Sequence, residues 1–251
     1  MRKIISLIFT LGLLTGSFLN VCIYRIPREE SIAYPPSHCP KCNNNLKPID
    51  LIPVLSFLWT RGKCRYCSSK ISIKYPLVEI LNAVIYLTLY LKFSLSILFI
   101  KYSILLSILI VVSFIDLKHQ IIPDKIIIFG LIYSFILNIL YNFKVNMLNG
   151  TIGLVIGGGI FLIIALVTNA MGGGDIKLMG MLGFILGYKS IILTTLLSFI
   201  IGAVVSLILI ALKIKSRKDF IPFGPFIAMA SLITIYYGSE IINWYLTKVI
   251  I

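Results

Sequence analysis

Apolar residues come in eight long runs along the chain, at about 4–22, 76–93, 97–115, 126–143, 150–169, 177–188, 190–212 and 225–247, separated by short polar segments. A helix needs about 20 apolar residues to cross the roughly 30 Å hydrocarbon layer of a bilayer. Most of these runs approach that length, and the run at 177–188 is short. Only one polar stretch, 23–75, is long enough to fold in water. The pattern predicts an all-α polytopic membrane protein with about eight transmembrane helices. Its parts are a first helix over 1–22, a small cytoplasmic cysteine-rich insert over 23–75, and a seven-helix domain over 76–251. The opening Met1-Arg2-Lys3 imitates a signal peptide. However, the run Ile4 to Val21 exceeds a usual signal core and no small-x-small cleavage site follows it, so it reads as an uncleaved span.

Composition strengthens this picture. The chain is 59% hydrophobic and 13% charged, against roughly 45–50% and 25% in soluble domains. A net charge of +14 invites a nucleic-acid reading, but the basic residues collect in loops between apolar runs, which marks topology instead. With eight spans, 16 of the 23 Lys and Arg fall on the side of the insert, Lys118, Lys125, Lys177 and the basic loop Lys213–Lys218, against 7 on the other. The positive-inside rule places the richer side in the cytoplasm. Asp116 and Asp175, which follow the third and fifth spans, then share that face.

The insert carries Cys39-Pro-Lys-Cys42 and Cys64-Arg-Tyr-Cys67, with 21 residues between the pairs. Each C-x2-C turn offers two thiolates, and four satisfy a tetrahedral zinc ion with no position left open for catalysis. A structural zinc site at Cys39, Cys42, Cys64 and Cys67 is the preferred reading, and a redox dithiol role is the alternative. A reducing cytoplasm argues against structural disulfides. His38 reads as a loop residue and Cys22 as packing.

Nine acids are present, and four stand at the membrane boundary on the basic side: Glu79, Asp116, Asp124 and Asp175. Within a membrane helix an acid costs on the order of 2.5–3.5 kcal/mol, so its presence asks for a use. Asp175 ends the run Met171-Gly-Gly-Gly-Asp. As a structural residue it would cap the following helix. Paired with a second aspartate it would hydrolyse a peptide bond without metal, since two adjoining carboxylates share one proton. Asp116 is preferred as the partner because it directly ends an apolar span. Asp124 follows Pro123 and suits a helix cap. No G-x-S-x-G, H-E-x-x-H or nucleotide-binding loop competes, and His119 has no evident nucleophile beside it. A transporter built on paired carboxylates, or a thiol–disulfide membrane carrier, are the competing classes.

These stretches resemble the bacterial prepilin peptidases, the type IV leader peptidases of the aspartic class. The resemblance lies in Gly16-Ser-Phe-Leu-Asn20 with Arg25-Ile-Pro27, the two cysteine pairs, Tyr75-Pro-Leu-Val-Glu79, Asp116 through Pro123-Asp124, Gly172-Gly-Gly-Asp175 with Lys177, and Pro222-Phe-Gly-Pro225. It implies catalytic aspartates at Asp116 and Asp175. It also implies cleavage of the basic leader of type IV prepilins or pseudopilins after a glycine at the cytoplasmic face of the plasma membrane. The family often methylates the new N-terminus with S-adenosylmethionine. No methyl-donor site is recognisable in the sequence, and Glu79 and the insert are the places to look for one.

Overall fold

The computed structural model describes residues 2–140, 143–168, 171–216 and 219–250. Arg217 and Lys218 of the basic loop lie outside them, as does Asn169 at the end of the fifth apolar run. Among the described residues the chain is all-helical, without strands and with two isolated bridges, His38 to Asn45 and Lys63 to Lys70. Long helices occupy the eight apolar runs: α1 (Arg2–Arg25), α3 (Lys74–Phe93), α4 (Ile97–His119), α5 (Asp124–Leu140), α6 (Phe143–Thr168), α7 (Gly173–Leu186), α8 (Tyr188–Ala211) and α9 (Gly224–Tyr245). A short α2 (Leu55–Trp59) lies in the insert. Among the described residues, six helices are long and apolar enough to cross a membrane: α1, α3, α4, α6, α8 and α9. Among the described residues α5 and α7 have 17 and 14 residues, below that length, so the protein is a multi-pass membrane protein with six candidate spans by this measure, and the expected count of eight is not confirmed. Pro123 and Asp124 set the start of α5, and Gly187 (φ +83°) cuts α7 off.

The chain divides into two compact units, Met1–Val111 and Val112–Ile251, with the division inside α4. In the first unit α1 and α3 meet backbone to backbone. A methyl on Gly12 would stand 2.6 Å from the Ala83 Cα, and one on Gly16 2.7 Å from the Glu79 Cα. Small residues allow this approach, which drives helix association where lipid offers no hydrophobic gain. A polar network locks the contact. The fully buried Asn82 donates to the Gly12 carbonyl at 2.8 Å and to Thr15 Oγ1 at 2.6 Å, and accepts from Ser107 at 2.9 Å. α1, α3 and α4 are thereby tied together with the amide satisfied, which is what burial demands.

In the second unit α6 and α7 pack as closely. A methyl on Gly183 would collide with the Gly153 carbonyl, and one on Gly157 would stand 2.5 Å from the Met179 carbonyl. The glycine face of the fifth apolar run therefore seats α7. α8 and α9 are joined by a hydrogen bond from Thr194 to Thr234, 3.0 Å. Phe161, Phe199, Phe223 and Phe226 form an aromatic cluster with ring centroids 5.4–5.9 Å apart.

Candidate active site

Asp116 lies one turn before the end of α4, which stops where Gln120 adopts a left-handed φ of 55°. The carboxylate is 5% exposed and its Oδ2 accepts the Gly224 N–H at 2.8 Å. That donor exists for a structural reason. The first N–H groups of a helix have no partner inside it, Pro225 has none to give, and Gly224 opens α9. The Phe223 ring, held in the aromatic cluster, fixes where Gly224 points. The absence of a side chain matters equally, because a Cβ on Gly224 would lie 2.8 Å from the Asp116 Oδ2.

Asp175 sits in the first turn of α7, 8% exposed. The cap position belongs to Gly172, whose backbone is extended (φ −74°, ψ 147°) and whose carbonyl accepts the Asp175 N–H at 3.1 Å. Asp175 is therefore not a cap, and its carboxylate is left free for other work beside the positive end of a helix. Asp116 and Asp175 are near enough for their charges to act on one another. Gly174 lets this turn press onto the Asp116–Asp124 segment, since a methyl there would lie 2.9 Å from the Ile122 Cβ.

Asp124 is placed differently. It opens α5 with its side chain 61% exposed, and both of its oxygens accept from Lys177 Nζ, at 2.7 and 2.9 Å. The ion pair joins the start of α5 to the first turn of α7. Of the two candidates for Asp175's partner, the geometry gathers Asp116 into the buried site and leaves Asp124 at the rim.

The insert brings its four cysteines together, with all four sulfurs within 4.8 Å of one another. The two knuckles repeat the same backbone design. The Cys39 N–H donates to the Asn44 carbonyl and the Asn43 N–H to the Cys39 carbonyl. Likewise the Cys64 N–H donates to Ser69 and the Ser68 N–H to Cys64. Asn43 and Ser68 share a φ of 56°. The Ser69 hydroxyl and backbone N–H lower the Cys67 thiol below its ordinary value, toward the thiolate a metal wants. Four sulfurs at this spacing suit a tetrahedral ion with bonds of about 2.3 Å. His38 turns its Nδ1 to the Pro36 carbonyl, 3.2 Å, as a loop residue.

Glu79, in the first unit, is 8% exposed and accepts the Val54 N–H at 2.8 Å. The sequence alone did not reveal this contact, the Gly224–Asp116 bond or the Lys177–Asp124 pair. For Gly224 a signal was present: a glycine followed by proline at a helix start has a free N–H and no side chain.

Residues 10–93 match the family model described as Bacterial Peptidase A24 N-terminal domain, and residues 103–207 match that of the Type IV leader peptidase family. Relatives cover nearly the whole chain. A prepilin leader peptidase/N-methyltransferase of Bacillus subtilis (strain 168) is 34% identical over 243 residues, covering 96% of this chain and 98% of that protein. One from Aeromonas hydrophila is 33% identical, covering 97% and 94%, and one from Legionella pneumophila is 35% identical, covering 94% and 92%. No solved structure matches the chain.

Proposed function

This chain belongs to the type IV leader peptidase family, and from that premise we propose that it removes the basic leader of type IV prepilins or pseudopilins and then methylates the new N-terminus. Asp116 and Asp175 are the catalytic pair. The observation that carries this reading is that these two carboxylates, alone among the membrane-boundary acids of the second unit, are buried and electrostatically linked. One proton serves both, since two adjoining anions are costly. The ionised carboxylate takes a proton from water as its oxygen attacks the scissile carbonyl carbon. The protonated one gives its proton to the carbonyl oxygen. Collapse of the tetrahedral species returns a proton to the leaving nitrogen, and the C–N bond breaks. The Gly224 N–H holds Asp116 in register. Counted over the eight apolar runs, the distribution of Lys and Arg supports a cytoplasmic location for this chemistry. The transporter and thiol-carrier readings find no support among the relatives.

Cys39, Cys42, Cys64 and Cys67 hold a structural zinc ion, whose filled shell leaves no position for a reacting group. Co-expression with a candidate prepilin, followed by mass analysis of the pilin N-terminus, tests the whole reading. Asp116→Asn and Asp175→Asn should each leave the leader attached while the protein still inserts. Normal processing by either variant would end the two-aspartate assignment.

A further inference from the structure

A cavity of about 640 Å³ opens within the first unit, between α1, the insert and the start of α3. That is the size of a small-molecule site. Its wall contains the Glu79 carboxylate, whose partners are the Val54 N–H and the Ser17 hydroxyl; among the described residues no basic side chain pairs with it. Arg25, also in the wall, is 5% exposed and spends its guanidinium on the carbonyls of Ser31 and Pro35, at 2.9 and 2.7 Å. A buried charge without a counter-charge is expensive unless something of opposite sign reaches it. The backbone is bent to serve this carboxylate. Val54 stands at φ 61°, ψ −49°, a conformation that strains a β-branched residue, and strain of this kind gathers at ligand clamps. Tyr24, Phe57 and Tyr75 also line the cavity, and aromatic faces receive both cations and flat heterocycles. A cationic ligand with an aromatic portion fits this donor set.

We propose that this cavity binds the methyl donor, S-adenosylmethionine, with its sulfonium facing Glu79. The assignment rests on the methyltransferase reading above. The bound donor supplies an electrophilic methyl group: the pilin amine forms the new C–N bond, the C–S electron pair returns to sulfur as a neutral thioether, and the surplus amine proton passes to solvent. Glu79 balances the donor's charge, Asn20 holds the start of α3 through the Tyr75 carbonyl at 3.0 Å, and Arg25, itself in the wall, is held by the 31–36 loop. Because the carboxylate answers a positive charge, it should discriminate S-adenosylmethionine from the neutral S-adenosylhomocysteine.

The test uses the full chain in lipid nanodiscs with titration calorimetry and ultraviolet cross-linking. The wild type should bind S-adenosylmethionine at least tenfold more tightly than S-adenosylhomocysteine. Glu79→Gln should remove that preference while holding S-adenosylhomocysteine within about threefold. Cross-linked donor should map to peptides between residues 14 and 79. Unchanged discrimination in the variant overturns the proposal, as does label confined to residues 112–251. If the variant loses its fold, read by zinc content and thermal midpoint, the wild-type cross-link map decides alone. A variant that loses affinity only for a leaderless pilin peptide overturns the donor assignment and gives Glu79 to the substrate amine. Methylated pilin with label outside the cavity sinks the site alone. Normal cleavage with no methylation sinks the methyltransferase reading and the site with it.

Discussion

Gly224→Ala separates the position of Asp116 from its chemistry. The added Cβ would lie 2.8 Å from the Asp116 Oδ2 and 3.3 Å from its Cβ and Cγ. Neither backbone yields easily: Phe223 is clasped by three other rings, and Asp116 stands on a buried part of α4 beside the fully buried Ile115. The carboxylate therefore swings away and loses the Gly224 N–H. A hydrogen bond to a charged group contributes about 1.5–3 kcal/mol, and each 1.36 kcal/mol in a barrier is tenfold in rate. Prepilin cleavage should fall about 10- to 100-fold in kcat/KM, with a prepilin peptide and nanodisc-held enzyme. Gly159→Ala is the control, since nothing lies within 4 Å of its added methyl. The thermal midpoint reports whether the fold survives. A Gly224→Ala enzyme that folds and cleaves within twofold of wild type would refute the role given to this contact.

Asp124→Asn should cost less than about tenfold in cleavage, against a loss of more than about a thousandfold for Asp116→Asn by analogy with other paired catalytic groups. Equal losses would show that the rim carboxylate is chemical. Purified protein should carry one zinc per chain by metal analysis. Stripping it with a strong chelator, or replacing Cys67 with Ser, should open residues 23–73 to limited proteolysis, because metal binding supplies folding free energy to such small units. A metal-free insert that resists protease would sink the zinc assignment.

Much of the helical layout was legible in the sequence, because lipid forces apolar backbone into helices whatever its detailed pattern. Even the short sixth run became the short helix α7. The ends were harder to read. α6 begins at Phe143, several residues before its apolar run, carrying Asn146 and Asn149 along. α7 begins early enough to take Asp175 into its first turn, because the extended Gly172 occupies the cap. The buried aspartates announced themselves by their cost in an apolar setting. What held them did not: the Gly224–Asp116 bond joins residues 108 apart and the Lys177–Asp124 pair residues 53 apart. Such contacts depend on packing that no local pattern encodes. Val54 carried no turn signature of its own, since β-branched residues avoid the conformation it adopts.

At 14 residues and about 1.5 Å per residue, α7 is only about 21 Å long, well short of the ~30 Å apolar layer. Nine of its 14 residues, Asp175 among them, are buried, so this helix spends its length on its neighbours in the second unit and carries its acid among them.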